Sequence, residues 1–433
     1  MKRVNPRRPS IPTLSLSPAE EHRIENEAAA LLTQTLQIEH DFFANDSEVN
    51  EEHWKQLKSS DYFSIYKERH TTTESHDGWD PSASGGPKTR AASLDNDALI
   101  SSKKKAQIPM IVSTGHVEGL MEDVVFGFAA GDLPSWRMRT AFTKDRFADA
   151  KILATINKPT EERPFNYLCV KWFVSAFPAL LKVFVNPRDL LVLEASGVKV
   201  DTQGQRYGYY IIHDYVHPMI GKMDEYGICR CSISMCFIMR EVRPGKVHIF
   251  SRGFVDPRGD MSQNVVLMLT SKAMLTMAKT PESSISKKLV WLMARQERER
   301  QDKNQRGRMS STESVESGTC GSCGKPPGFL KSKLATCRLC RQEFCSRCIV
   351  EQRVVVEVTR KEMNERSFPF CLGCILKTKK MSPRAVALDR VRENAARAES
   401  SSSSERSTSN LSSAELFSIP SSPSDSDGAD ILR

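Results

Sequence analysis

Nowhere in this chain of 433 residues does an apolar run approach the ~20 residues that would span a bilayer. The first stretch, MKRVNPRRPSIPTLSLSP, is basic but has no apolar centre, so it does not read as a secretory signal. These two absences lead us to expect an intracellular protein, in which paired cysteines are metal ligands before they are disulfides. No nucleophile or oxyanion arrangement accompanies the histidines of IIHDYVHP, so His213 and His217 are expected to be strand-end residues and no enzymatic activity is expected. A dominant charge is missing too. The net +9 suits an acidic partner such as lipid headgroups, but spread over this length it singles none out. Basic runs such as Lys103 to Lys105 read as solvated loop, and no nucleic acid partner is expected.

A hydrophobic fraction of 39% still permits a sizeable core, and the length predicts two or three folded units with linkers. Residues 1–17 are rich in Pro, Ser and Arg and are expected to be disordered. From Ser17 the sequence SPAEE sets a helix start, and the helix that follows should bury Ile24, Ala28, Leu31, Leu32 and Leu36. The Gly, Ser, Pro and charge of about 71–105 predict a disordered surface loop, flanked by strand-like YFSIYKER and IPMIVSTGHV. After a helical EGLMEDVVFGFAA come KILATIN, NYLCVKWFV, DLLVLEASGVKV, YGYYIIHDYV, ICRCSISMCFIMREV and KVHIFSRGFV, strand candidates joined through turns such as the one from Arg243 to Lys246. A long helix from Gln263 to about Lys279 closes the unit. This order predicts an α+β domain over residues 18–295, an antiparallel sheet with a helix packed on it. Within it, Cys169, Cys229, Cys231 and Cys236 read as small strand side chains, and Arg188 and Asp189 as braces of a turn. A charged linker (296–316), a cysteine module (317–380), a charged helix (381–399) and a disordered Ser-rich tail (400–433) complete the chain.

The cysteine module contains Cys320/Cys323, Cys337/Cys340, Cys345/Cys348 and Cys371/Cys374, four pairs each separated by two residues. Such a pair can wrap one Zn2+ at bond lengths of ~2.3 Å, and two pairs complete a tetrahedron. The short interval from Cys340 to Cys345 leaves little room for the second and third pairs to share an ion. An interleaved arrangement is therefore expected, with Cys320, Cys323, Cys345 and Cys348 on one zinc and Cys337, Cys340, Cys371 and Cys374 on the other. With every position filled by sulfur, both ions would be structural.

This spacing resembles the FYVE zinc finger, a family that binds phosphatidylinositol 3-phosphate on endosomal membranes. The resemblance implies a headgroup grip around the third cysteine. There the sequence reads KLATCRLCR: Lys333 and Arg338 keep basic character, Leu334, Ala335 and Thr336 replace a basic residue and two histidines, and Arg341 stands in place of a glycine. Lys331, Lys333, Arg338 and Arg341 are the headgroup or membrane candidates, with Lys325 and Arg347 nearby. A RING finger normally has a ligand histidine and a shorter middle interval, and a PHD finger expects histidine where Cys345 sits. Phe368 and Phe370 keep the latter as a minor reading.

Upstream, VEGLMEDVVFGF, LATINKPTEERPFNYLCVKWF, NPRDLLVLEASG and FSRGFVDPRGD resemble, in order and spacing, the START domain. That resemblance implies a helix-grip fold, a curved antiparallel sheet clasping a long C-terminal helix around an apolar lipid tunnel. Its polar tunnel positions fall on Ser175 and Glu194. For Glu194 the readings are a carboxylate facing a headgroup, or a surface carboxylate at a strand end. The Met-rich MSQNVVLMLTSKAMLTM suits both a packing face and a tunnel wall.

The leading expectation is a non-enzymatic lipid-binding or lipid-transfer protein, cytoplasmic and peripheral on endosomal or other internal membranes, whose two-zinc module docks it there. The alternative is a scaffold without lipid, whose finger binds a protein such as a small GTPase; a ubiquitin ligase or chromatin reader ranks below both.

Overall fold

The computed structural model of the protein describes residues 10–60, 62–69, 98–143, 147–175, 185–259, 261–305, 318–326, 334–358 and 363–402. The chain divides into two compact units, one of Met1–Ser284 with Ser382–Glu399 and one of Ile285–Met381 with Ser400–Arg433.

In chain order the elements are α1 (Pro18–Ala44), β1 (Trp54–Ser60), β2 (Phe63–Glu68), α2 (Ala98–Lys103), β3 (Ile111–Glu118), α3 (Met121–Phe128), α4 (Leu133–Thr143), β4 (Phe147–Asn157), β5 (Tyr167–Ser175), β6 (Arg188–Val200), β7 (Arg206–Asp214), β8 (Cys229–Arg230), β9 (Ser232–Arg243), β10 (Lys246–Asp256), α5 (Gln263–Met277) and α6 (Thr280–Gln305). The strands of the first unit form a single sheet in the order β1-β2-β3-β10-β9-β7-β6-β5-β4, antiparallel throughout, with short β8 added in parallel to β6. This is the α+β helix-on-sheet class expected from the sequence. The β9–β10 turn closes on Gly245, whose φ of +79° is the left-handed conformation that glycine adopts without strain.

Local chemistry sets the helix ends and faces. Ser17 Oγ accepts the Glu20 N–H and the Glu20 carboxylate accepts the Ser17 N–H at 2.8 Å, a complete capping box for α1. The buried face of α1 is Ile24, Ala28, Leu31, Leu32, Thr35, Ile38, Glu39 and Phe42, while Leu36 is only partly buried. Most of the loop expected at 71–105 lies outside the described residues. Its end is helical, because Ile100 is fully buried and Lys103 pairs with Glu27 of α1 at 2.5 Å.

The central strands are apolar on both sides because both faces are covered. Alternation assigns them. Leu168, Val170, Trp172 and Val174 of β5, with Leu191, Leu193 and Ala195 of β6, join the core that contains α1. Phe173, Leu190 and Val192, one residue out of phase, join Trp136 of α4 on the opposite face.

The second unit contains two small antiparallel ribbons, β11 (Ala335–Thr336) with β12 (Glu343–Phe344) and β13 (Ile349–Val358) with β14 (Met363–Cys371), followed by α7 (Leu372–Lys380). The last helix, α8 (Arg384–Ser402), returns to the first unit, where Arg390 binds Asp132 at 2.7 Å and Arg392 binds Glu161 at 3.0 Å.

Candidate lipid cavity and metal centres

Between the sheet and helices α4 and α5 lies a cavity of about 330 Å3. Its walls are Phe173, Leu190, Ile212, Ile233, Met235 and Phe237 from the strands, and Val266, Leu269, Ala273, Met274 and Met277 from α5. The methionines expected to pack or to line a tunnel thus include Met274, which is buried, and Met277, both at the cavity.

Ser175 lines the cavity at the end of β5. Glu194 is fully buried in the middle of β6, not at a surface or a strand end. Its position follows from register. Cys169 of β5 and Ile212 of β7 lie directly opposite, so the diagonal same-face neighbours are Tyr167 and Lys171 on one side and Tyr210 on the other. Lys171 Nζ donates to Glu194 Oε1 at 2.6 Å and to the Ala130 carbonyl at 2.6 Å, and lies 4.4 Å from the Trp136 ring centre. Tyr167 donates its hydroxyl to the same carboxylate oxygen. From α4, Arg139 grips Glu194 with both terminal nitrogens at 3.1 and 3.3 Å, and also reaches Tyr210 Oη and the Phe128 carbonyl. Arg139 and Tyr210 line the cavity, so Glu194 stands one bond behind its wall.

Burial alone would push the Glu194 carboxyl up; Arg139 and Lys171 outweigh it and hold the group at about 2. Burial likewise opposes the Arg139 charge, and Glu194 more than restores it. Cys169 and Cys231 have thiols pushed up to about 12 by burial, as inert strand residues should.

Arg139, Lys171, Tyr167 and Tyr210 are site residues that sequence reading missed. Lys171 carried a signal, a lone cation inside the apolar run LCVKWFV, in phase with Ser175. Arg139 carried none, because its helix was not foreseen.

The remaining upstream candidates are structural. Arg188 donates to the carbonyls of Asn186, Pro257 and Arg258, and Asp189 accepts from Trp172 Nε1 at 2.8 Å and Arg230 Nε at 2.9 Å. His213 is the last residue but one of β7, at the strand end expected, and is buried there, bonded to Ser234 on one ring nitrogen and near Glu27 and Lys103 on the other.

In the second unit, the sulfurs of Cys320, Cys323, Cys345 and Cys348 converge, as do those of Cys337, Cys340, Cys371 and Cys374, each set within 4.8 Å. No disulfide joins any of the twelve cysteines. Each group can hold a metal ion, in the interleaved pairing expected from spacing. The donor set fits: Cys323 and Cys345 sulfurs are 3.8 Å apart and Cys340 and Cys371 3.9 Å, against the ~3.8 Å edge of a tetrahedron with ~2.3 Å zinc–sulfur bonds. Backbone N–H groups of Cys323 and Cys345 pull the Cys320 thiol down toward thiolate, whereas Cys348 is pushed up by the adjoining Cys345 sulfur. Four crowded thiolates need a cation between them.

Arg338 lies over the Phe368 ring at 5.6 Å, and Arg341 is exposed with φ of +61°. Lys331 and Lys333 lie outside the described residues.

Among the described residues, no helix is long and apolar enough to cross a membrane. No known sequence family matches the chain, and no curated protein does. Among solved structures, the chain is similar to human StAR-related lipid transfer protein 5, with a TM-score of 0.37 and 15% identity over 59% of this chain and 96% of that one. It is also similar to a STAR-related lipid transfer protein from Xanthomonas axonopodis, with a TM-score of 0.32 and 12% identity over 53% of this chain and 96% of that one.

Proposed function

We propose that the protein is a non-enzymatic lipid carrier that works at an anionic internal membrane. The observation that carries this reading is the cavity itself, closed by α5 and walled mostly by apolar side chains with a few polar groups among them. Removing hydrocarbon from water into such a wall gains about 25 cal/mol per Å2. Arg139 and Tyr210 orient the polar end of the lipid, Glu194 and Lys171 hold Arg139 and its surroundings in place from behind, and Ser175 lines the cavity farther along the sheet, beyond the Val174–Asp189 pair.

The two sulfur clusters hold zinc, which as a closed structural ion fixes the surrounding loops. The second unit supplies the docking surface. Residues 318–381 contain thirteen lysines and arginines against five glutamates and no aspartate, so they hold eight of the nine net charges of the chain. On α7, Leu372 and Leu376 are 42% and 56% exposed, one turn apart, and Lys377, Lys379 and Lys380 follow in the last turn. Exposed leucines beside lysines suit the interface of an anionic bilayer. Phosphatidylinositol 3-phosphate is one such lipid, with Arg338 and Arg341 as its contacts.

Native mass spectrometry of the full chain tests the carrier reading. The protein should carry a lipid mass that disappears on organic extraction. Ala273→Trp, which fills the cavity from α5, should lose that mass while the circular dichroism stays unchanged. Purified protein that never carries or takes up lipid would sink it.

A further inference from the structure

The cavity has an electrostatic sign. Arg139, Arg188 and Lys272 are among its walls, and among the described lining residues there is no aspartate or glutamate. Behind that wall Glu194 is shared by two buried cations, Arg139 and Lys171, leaving that cluster with one positive charge in excess. Arg188 adds to the same sign: its guanidinium is hydrogen-bonded to the backbone carbonyls of Asn186, Pro257 and Arg258, which orient it but bring no negative charge. Asp189, its chain neighbour, is engaged by Arg230 and Trp172. Lys272 stands exposed on α5, at the border of the same space.

A buried charge without a counter-ion is costly, and a ligand that brings the counter-ion removes that cost. A neutral headgroup would leave it in place. Size adds a second limit: about 330 Å3 is near the lower end of the ~300–1,000 Å3 range of ligand pockets, which suits one hydrocarbon chain or compact ring system rather than two long chains.

We infer that the ligand is a single-chain anionic amphiphile, a long-chain carboxylate or lysophosphate, with its charged head at the Arg139 wall and its chain along the α5 methionines. This rests on the carrier reading and narrows it. The head accepts charge-assisted hydrogen bonds from the guanidinium, and the chain displaces nothing but apolar contact.

The test uses delipidated full-length protein and cis-parinaric acid, a fluorescent fatty acid, beside its methyl ester. The acid should bind at least about tenfold more tightly than the ester, the size of one charge-assisted contact. Competition by oleate and by oleoyl lysophosphatidate then separates the carboxylate from the phosphate source, and displacement by either supports the inference. Because Arg139 variants endanger the fold, the charge is also tested at Lys272. Lys272→Glu, an exposed change, should reduce the preference for acid over ester several-fold, read as the ratio of the two affinities. Equal binding of acid and ester would overturn the anionic assignment and leave the carrier reading standing. No binding of either probe would overturn both.

Discussion

Glu194 shows how one residue can hold a cavity wall together without lining it. Its carboxyl is held at about 2 in the fold against an ordinary 4.5, since Arg139 and Lys171 outweigh the burial that would raise it. A depressed carboxylate stabilises the fold above its unfolded pKa, and that contribution is lost as pH falls toward the folded value. Acid unfolding should therefore show a limb between about pH 4.5 and 2 that Glu194→Gln lacks. At neutral pH the same variant leaves two buried cations unpaired and should lose about 3–5 kcal/mol, read from urea denaturation. The sequence showed a carboxylate in DLLVLEASG, and alternation with Leu190 and Val192 identifies its face. What it did not show is the partner from α4, because GDLPSWRMRTAFT has no clear apolar stripe. Arg341 is a second case. It occupies the left-handed region, φ +61°, at the position where the resemblance placed a glycine. Arg341→Gly should raise the stability of the second unit by about 1 kcal/mol, seen in thermal melts, while weakening its binding to anionic vesicles. Unchanged vesicle binding would remove Arg341 from the docking surface.

At the level of elements, long amphipathic or alternating segments were readable and short or contact-defined ones were not. The α1 capping box and the strands β5 to β10 follow from local pattern. Strand β1, helix α4 and the β13–β14 ribbon depend on what they pack against. Close approaches are equally invisible in sequence. Gly127 of α3 lies so near the Thr280 carbonyl that a Cβ would stand 2.0 Å from its oxygen, and backbone on both sides cannot yield. Gly127→Ala should therefore destabilise the first unit by about 1–3 kcal/mol, measured by urea denaturation, in contrast to the stabilisation that the same change brings to an unconstrained helix.

For the whole molecule, charge segregation is the feature that composition concealed. A net +9 over 433 residues looks diffuse, yet nearly all of it belongs to the segment that also carries both sulfur clusters. Elemental analysis should find two zinc ions per chain. A strong chelator should abolish the second unit's dispersion in NMR spectra, since a closed site of four thiolates contributes folding energy directly. Docking should then respond steeply to salt and to metal, whereas lipid held in the cavity of the first unit should be indifferent to metal and respond to salt only weakly, because its main charge contact is buried. Each exposed cation near an anionic surface is worth about 1 kcal/mol, and raising salt from 0.1 M toward 1 M shortens the screening length from about 10 to about 3 Å. Cosedimentation with vesicles containing phosphatidylserine should accordingly fall steeply with salt, and fall further in Leu376→Glu, which puts a like charge where α7 meets the headgroups. If binding proved insensitive to salt and to that substitution, the basic segment would be a protein-binding surface instead, and the carrier would reach its membrane through a partner.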